Sequence, residues 1–410
     1  MRKLYVPGLI FILLIMFAFG AWVGTSINSN GTNTTTSSQD NISEFQLVTQ
    51  AWNITRENYV DKTATQPQRL AYGTIEGMIN SLGDTGHSTF LTPDEVRQEN
   101  DFSQGRLEGV GIEVQEKNGK IVVVAPIENS PAQKAGLHSG DIILKVDGQP
   151  VKTIQDTVLR IRGPSGTSVT LTIQTATGVT KDVKLVRSKI NLESVAWRQL
   201  PGTSVAHIQL ASFTKGTTAE LDAALTSLKA QNISGIIFDL RDNPGGLLDE
   251  AVGVASCFIK SGDVLLTKDA AGNITHIPVI PSKVFTDLPM VTLINQRTAS
   301  AAEIVAGALR DAKRTELVGE TTFGTGTVLE QISLSDGSAL LLAVQEWLTP
   351  SGKTIWHVGL SPDVPVALAA NVSPLFPSSE QGLTADQLQN TDDQQLLRAL
   401  SLLESSKSNR

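Results

Sequence analysis

The sequence predicts an α/β fold with a largely parallel sheet, preceded by a smaller β-rich domain and a helical N-terminal segment. Three observations carry that reading. Residues 235–240 and 290–294 are short, apolar, β-branched runs, as expected of strands buried on both faces of a parallel sheet. Each is followed within a few residues by a run of helical period, from Leu247 and from Ala301. Residues 107–187 instead alternate apolar and polar positions between glycine turns, the pattern of short antiparallel strands.

At 410 residues the chain is long enough for two or three domains with their own cores. A net charge of −8 supplies no basic surface, so no nucleic acid is expected as a partner. The single cysteine, Cys257, lies in an apolar helical stretch; it excludes an internal disulfide and a cysteine-based metal site. No His/Asp/Glu cluster has ligand spacing, and neither metal nor cofactor is expected. A homo-oligomer stays open.

Arg2 and Lys3 precede an uncharged run over residues 4–23. As a helix it would be about 30 Å long, enough to cross a bilayer. Cations before the span and none soon after predict the N-terminus inside and the globular part extracytoplasmic, periplasmic or extracellular. The expectation is a single-pass signal-anchor over residues 1–24 in the cell membrane, with a cleaved signal peptide as the competing reading. Residues 25–43 are rich in Ser, Thr and Asn and read as a flexible tether.

Residues 44–106 carry helical patterns, with Phe45, Leu47, Val48, Ala51, Trp52 and Ile54 on one apolar face and Ile75, Met78 and Ile79 on another. They end in a turn-rich loop, Asp84-Thr-Gly-His87-Ser88, holding one of only five histidines. Residues 107–188 follow as the β-rich domain. The turn Gly109-Val110-Gly111-Ile112 runs into a strand, a short helix opens at Pro131 and closes at Gly136, and Gly140-Asp141 leads a strand ending in Asp147-Gly148. These motifs in this order resemble a PDZ domain. The resemblance makes Gly109, Val110, Gly111 and Ile112 the carboxylate-binding loop. Successive backbone N–H groups in such a turn form a nest for a C-terminal carboxylate, and the next strand edge can pair with an extended peptide.

Residues 189–366 form the α/β core. Thr217 is expected to cap a helix, with Glu220 closing its capping box. A hairpin is expected across Ala271-Gly-Asn273. The apolar run 235–240 ends in Arg241-Asp-Asn-Pro-Gly245-Gly246, and the run 290–294 leads to Ser300, three residues before Glu303. Both turns fall at carboxyl ends of parallel strands, where such sheets bind ligands. A serine at the start of a helix sits in the positive end of the macrodipole, beside unpaired N–H groups, where an alkoxide and an oxyanion are stabilised. The same position also suits a plain helix cap. Residues 367–410 read as a polar tail with one amphipathic piece, 394–403, placed to dock back.

A PDZ domain followed by Leu240-Arg-Asp-Asn-Pro-Gly-Gly246 and Thr298-Ala-Ser300-Ala-Ala-Glu303-Ile resembles the carboxyl-terminal processing (tail-specific) serine peptidases. Val318-Gly-Glu-Thr-Thr-Phe-Gly324, Leu348-Thr-Pro-Ser-Gly352 and Gly359-Leu-Ser-Pro-Asp363 extend the likeness to most of residues 44–365. It implies a crotonase-like (ClpP/crotonase) core with an inserted PDZ domain. It also implies Ser300 as nucleophile, an oxyanion hole from Gly245, Gly246 and the amide of Ala301, and a supporting role for Asp311.

One departure is sharp. Where the family carries a lysine base and a glutamine that holds it, this chain has Thr325 and Leu329. A threonine hydroxyl has no pKa near neutrality and cannot take the serine proton. The resemblance of the His87 loop to the segment supplying the histidine of tricorn-type relatives makes His87 the first candidate base, with Glu346 or Asp84 to orient it. His357 and then Lys353 come next; His138, His207 and His276 have no reason to reach Ser300. The expected function is a membrane-anchored serine endopeptidase that binds protein C-terminal tails through its PDZ domain and cleaves them. The alternative is a catalytically inactive PDZ scaffold presenting tails to a partner protease.

Overall fold

The computed structural model describes residues 40–84, 88–117, 119–127, 130–138, 140–175, 177–369 and 372–408. The expected anchor and most of the tether lie outside the described residues, as does His87. Among the described residues no helix is long and apolar enough to cross a membrane. They divide into two compact units, residues 40–96 with 329–343, and residues 97–328 with 344–408.

The first unit opens with α1 (Asp40–Asn58), a 3-10 turn (Lys62–Thr65), α2 (Pro67–Asn80) and β1 (Thr89–Leu91). Tyr72 packs its ring on Phe90, 4.8 Å between centroids, and donates its hydroxyl to Asp336 at 2.8 Å. Phe90 pairs antiparallel with Leu340. That register draws residues 329–343, placed with the core by sequence alone, into the helical unit. The apolar face expected of α1 stands in solvent at Phe45, Leu47 and Ile54.

In the second unit α3 (Pro93–Ser103) and β2 (Arg106–Gly109) precede the small β-domain. Its elements are β3 (Ile112–Lys117), β4 (Lys120–Pro126), α4 (Pro131–Lys134), β5 (Ile142–Val146), β6 (Gln149–Pro150), α5 (Ile154–Ile161), β7 (Ser168–Gln174) and β8 (Thr180–Val186). The strand order is β3-β4-β5-β7-β8, which leaves β3 on an edge. Val123, Ile143, Leu171, Ile173 and Leu185 form its core. Arg187 closes α5 by donating to the carbonyls of Arg160 and Ile161, both at 2.8 Å, which satisfies two acceptors that helix geometry orphans. The chain leaves through β9 (Ser188–Asn191), antiparallel to β2.

The core then builds β10 (Val195–Gln199), β11 (Val205–Leu210), α6 (Thr217–Lys229), β12 (Gly235–Asp239), α7 (Leu248–Ser256) and the hairpin β13 (Asp263–Lys268) to β14 (Ile274–Pro278). After it come β15 (Met290–Ile294), α8 (Ala301–Asp311), β16 (Glu316–Gly319), then β17 (Thr327–Ser333) and β18 (Ala339–Leu348), whose residues 329–343 belong to the first unit, and β19 (Val364–Pro365), α9 (Ala385–Gln389) and α10 (Gln394–Ser408). The main sheet runs β10-β11-β12-β15-β16-β19, parallel except for the antiparallel edge strand β10.

The unbroken apolar run of β12 has a direct cause. Ile236 and Phe238 face the core shared with α6, α7 and α8, whereas Ile237 faces Leu396, Ala399, Leu400 and Leu403. The amphipathic piece expected to dock back does so: α10 covers the second face of the sheet. Each of its fully buried leucines contributes roughly 1.5–3 kcal/mol of burial. The helix at Thr217 also starts differently than expected. Gly216, at φ 100°, is its N-cap, and the Glu220 carboxylate instead accepts from the amides of Ser194 and Val195 at 2.7 and 3.0 Å. Those edge amides lack a ladder partner at that point and compete successfully for the carboxylate.

Candidate active site

Ser300 stands where β15 gives way to α8, with φ 53° and ψ −120°. A left-handed φ on a non-glycine residue is strained and persists only where its surroundings enforce it. Here the enforcement is visible. The Ala299 amide donates to the Asn243 carbonyl at 2.9 Å, and the Thr298 hydroxyl donates to the Leu240 carbonyl at 2.8 Å. The Ser300 amide donates to Glu303 Oε2 at 2.9 Å and lies 3.2 Å from the Thr325 hydroxyl. The strand-to-helix turn is thereby tied to the turn after β12 on one side and to residues 322–325 on the other.

Glu303 does more than cap a helix. Fully buried, its carboxylate accepts from the Ser300 amide, the Thr322 hydroxyl, and the amides of Gly324 and Thr325 at 2.8 and 3.0 Å. Burial raises its pKa, and these four donors oppose the rise without cancelling it. Glu303 thus pins the 322–325 turn against the Ser300 elbow. The sequence shows this residue only as half of a capping box.

The Asn243-Pro244-Gly245-Gly246 turn lies directly against the elbow. Asn243, buried, donates its side-chain amide to the Leu210 carbonyl at 2.6 Å and accepts from the Gly245 amide at 2.8 Å. A Cβ on Gly245 (φ 102°) would fall 2.7 Å from the Ser300 Cβ and 2.8 Å from the Ala301 nitrogen. A Cβ on Gly246 (φ 139°) would meet the Phe213 carbonyl at 2.3 Å. Both positions demand glycine, for conformation and for closeness. Gly245 was expected to donate to an oxyanion, but its amide is already engaged by Asn243, so its contribution is space. Ala301, first in α8, has an N–H with no intrahelical acceptor by helix geometry.

The other expected site residues have partners of their own. Asp311 sits at the opposite end of α8 from Ser300, about 16 Å away by helix rise, and accepts from the Ser351 amide at 2.9 Å. Its burial is outweighed by hydrogen bonds from Thr349 and Ser351, which lower its pKa. It fixes the 349–352 turn and does not touch the reacting atoms. Glu346 is engaged by Lys268 at 3.0 Å and the Thr354 hydroxyl at 2.7 Å, and Asp84 accepts from Ser88. Thr325 and Leu329 are both buried.

His207 is buried between Asp239 (3.0 Å) and Glu380 (2.6 Å). Burial alone would lower its pKa, yet the two carboxylates lift it to about 9. Arg241, also buried, joins the same cluster through Asp239 and makes two bonds to Asp393 at 2.9 and 2.8 Å. This network fastens the chain beyond residue 372 to the strand that ends in the Gly245-Gly246 turn.

In the small domain, the Gly109–Ile112 loop is held from behind. The Val110 carbonyl accepts from the Ala132 amide at 2.9 Å, and the Gly111 carbonyl from the Ile127 amide at 2.9 Å and the Ser130 hydroxyl at 3.0 Å. Ile112 opens edge strand β3, with α5 packed beside it.

A parallel-sheet core with a serine elbow facing a glycine turn, and a PDZ domain ahead of it, defines a serine peptidase of crotonase-like architecture. Comparison with known proteins agrees. The family model for peptidase family S41 matches residues 204–366, and the PDZ domain model matches residues 122–175. The carboxy-terminal processing protease CtpA of Bacillus subtilis is 36% identical over 80% of this chain and 70% of its own length. A carboxy-terminal-processing protease of Bartonella bacilliformis is 34% identical over 86% and 82%. Among solved structures, a photosystem II D1 C-terminal processing protease is 30% identical with a TM-score of 0.52, covering 86% of this chain and 99% of that one. The chain belongs to peptidase family S41 and is a serine-type peptidase of the carboxy-terminal processing kind.

Proposed function

We propose that this peptidase captures the unstructured C-terminal tail of a protein on the PDZ loop Gly109–Ile112 and edge strand β3, and cleaves it with Ser300. The observation that carries the reading is the Ser300 elbow itself: a strained serine at a helix start, flush against a glycine turn with no room for any side chain. In this reading the Ser300 hydroxyl attacks the scissile carbonyl. The oxyanion lies between the amides of Gly246 and Ala301, where fixed donors act without reorganising. A histidine takes the serine proton in place of the lysine that the family pattern carries and that Thr325 replaces. The free carboxylate of the tail rests in the nest of the PDZ loop, and the extended tail adds to β3.

The uncharged segment 4–23 behind Arg2 and Lys3 supports a cell-membrane anchor with the peptidase on the extracytoplasmic side. The test is turnover of a folded protein bearing an apolar, unstructured C-terminal extension. Release of tail fragments by the natural chain, their loss in Ser300→Ala, and slower release from a C-terminally amidated substrate are expected. Equal cleavage by Ser300→Ala would overturn the reading.

A further inference from the structure

We propose that His357 is the general base that activates Ser300, an inference that rests on Ser300 being the nucleophile. Among the described non-glycine residues, five have a left-handed φ: Asp147, Asp242, Ser300, Lys313 and His357. Asp147 belongs to a hairpin turn before Gly148, and Lys313 lies just past the end of α8. The remaining three stand on loops tied to one another around the elbow. Asp242 accepts from the side chain of Asn295 at 2.6 Å, ahead of the turn that carries Ser300. Strain of this kind collects where a site requires a side chain in one place.

The strain at His357 (φ 61°) is held by an unusually close pairing of two turns. The His357 amide donates to the Gly324 carbonyl at 2.9 Å, and the Thr322 amide to the Leu360 carbonyl at 3.1 Å. The Leu360 amide donates back to the Thr322 hydroxyl at 2.7 Å. A Cβ on Gly326 would fall 2.2 Å from the Trp356 nitrogen, and one on Gly324 would fall 2.8 Å from the Gly359 nitrogen. Residues 355–359 are therefore bolted against residues 322–326, and the next residue after Gly324, Thr325, meets the Ser300 amide at 3.2 Å. Two hydrogen bonds and one residue separate the His357 amide from that of Ser300, a span of roughly 11 Å at most. The side chains of the two residues can close a span of that size.

The chemistry fits no other described histidine as well. His207 lies in the buried network of Asp239 and Glu380, His276 stands on the exposed hairpin, and His138 belongs to the PDZ domain. The ring of His357 stacks on Trp356, 4.9 Å between centroids at 24°, which limits its rotation. An imidazole can take up and return a proton, as a general base must. As the Ser300 oxygen bonds to the scissile carbon, its proton passes to the His357 ring. The carbon–nitrogen bond then breaks, and the same proton leaves with the departing amine. Water attacks the acyl-serine ester by the same route, yielding a free carboxylate and restoring the serine.

His357→Gly is the informative variant, because glycine accepts the left-handed backbone and leaves the turn intact. Turnover of a tail-bearing peptide is expected to fall by about 10²–10⁴-fold, with an unchanged thermal midpoint, and added imidazole should restore a concentration-dependent part of it. Ser300→Ala should show no such rescue. His357→Gly turnover within about threefold of the natural chain, or a loss that imidazole does not relieve, would overturn the assignment. In that case an inactive Ser300→Ala keeps the nucleophile reading, and His87→Gly with imidazole tests the other histidine. An active Ser300→Ala overturns both readings together.

Discussion

Gly245 and Ser300 approach so closely that a methyl group on the glycine would sit 2.7 Å from the serine Cβ and 2.8 Å from the Ala299 carbonyl. Neither neighbour is the end of a flexible side chain, so Gly245→Ala must push the elbow aside. A displacement of about 1 Å at a reacting centre costs on the order of 10²-fold in rate. Steady-state kinetics of Gly245→Ala should show that loss mainly in kcat, with PDZ-dependent tail binding unchanged.

His207 makes the core sensitive to alkali. Its pKa is about 9 in the fold against 6.5 unperturbed, so the folded state binds the proton more tightly. Its stabilising contribution is complete below about pH 6.5 and is lost as pH rises through about 9. Thermal midpoints of the natural chain should fall over that interval, and those of His207→Gln should fall less steeply.

The Arg241–Asp393 pair has both partners buried, joined by two hydrogen bonds. Removing Asp393 takes two charge-assisted hydrogen bonds from Arg241 while Asp239 still holds the guanidinium, at a cost of about 1.5–3 kcal/mol. Asp393→Ala should lower the unfolding free energy in urea by that order. Because Asp393 also accepts from the Leu375 amide at 2.8 Å, the segment around Leu375 should exchange its amide hydrogens faster in the variant.

Gly111 tests the loop proposed to hold the tail. At φ 74° a Cβ would lie 2.3 Å from Ser130 Cβ, behind the loop that faces the edge strand. Gly111→Val should weaken binding of a labelled peptide with a free C-terminal carboxylate at least tenfold by fluorescence polarisation. Labelling of Ser300 by a small reactive probe should be unaffected.

Much of this architecture is legible in the chain. The apolar runs ending in Asn243-Pro-Gly-Gly246 and at Ser300 announce two turns at carboxyl strand ends, and the folded chain brings those turns into contact. What pattern alone does not reveal are the partners supplied from afar. Glu303 looks like a local cap until Thr322, Gly324 and Thr325 fold onto it. The amphipathic stretch 394–403 announces that it docks back but not where, and the buried Glu380 and Asp393 read as surface charges without Arg241 and His207 beside them. Asp311 stands three helical turns from Ser300, and its partner, the Ser351 amide, comes from a turn 40 residues further on.

The central claim is that Ser300 is an activated nucleophile although Thr325 replaces the family's lysine. Incubation with a fluorophosphonate, followed by mass spectrometry of the peptide containing residues 298–310, tests it most directly. The account predicts a covalent adduct on Ser300 at neutral pH, absent in Ser300→Ala. An unmodified Ser300 in a folded sample that still binds peptide tails would contradict it.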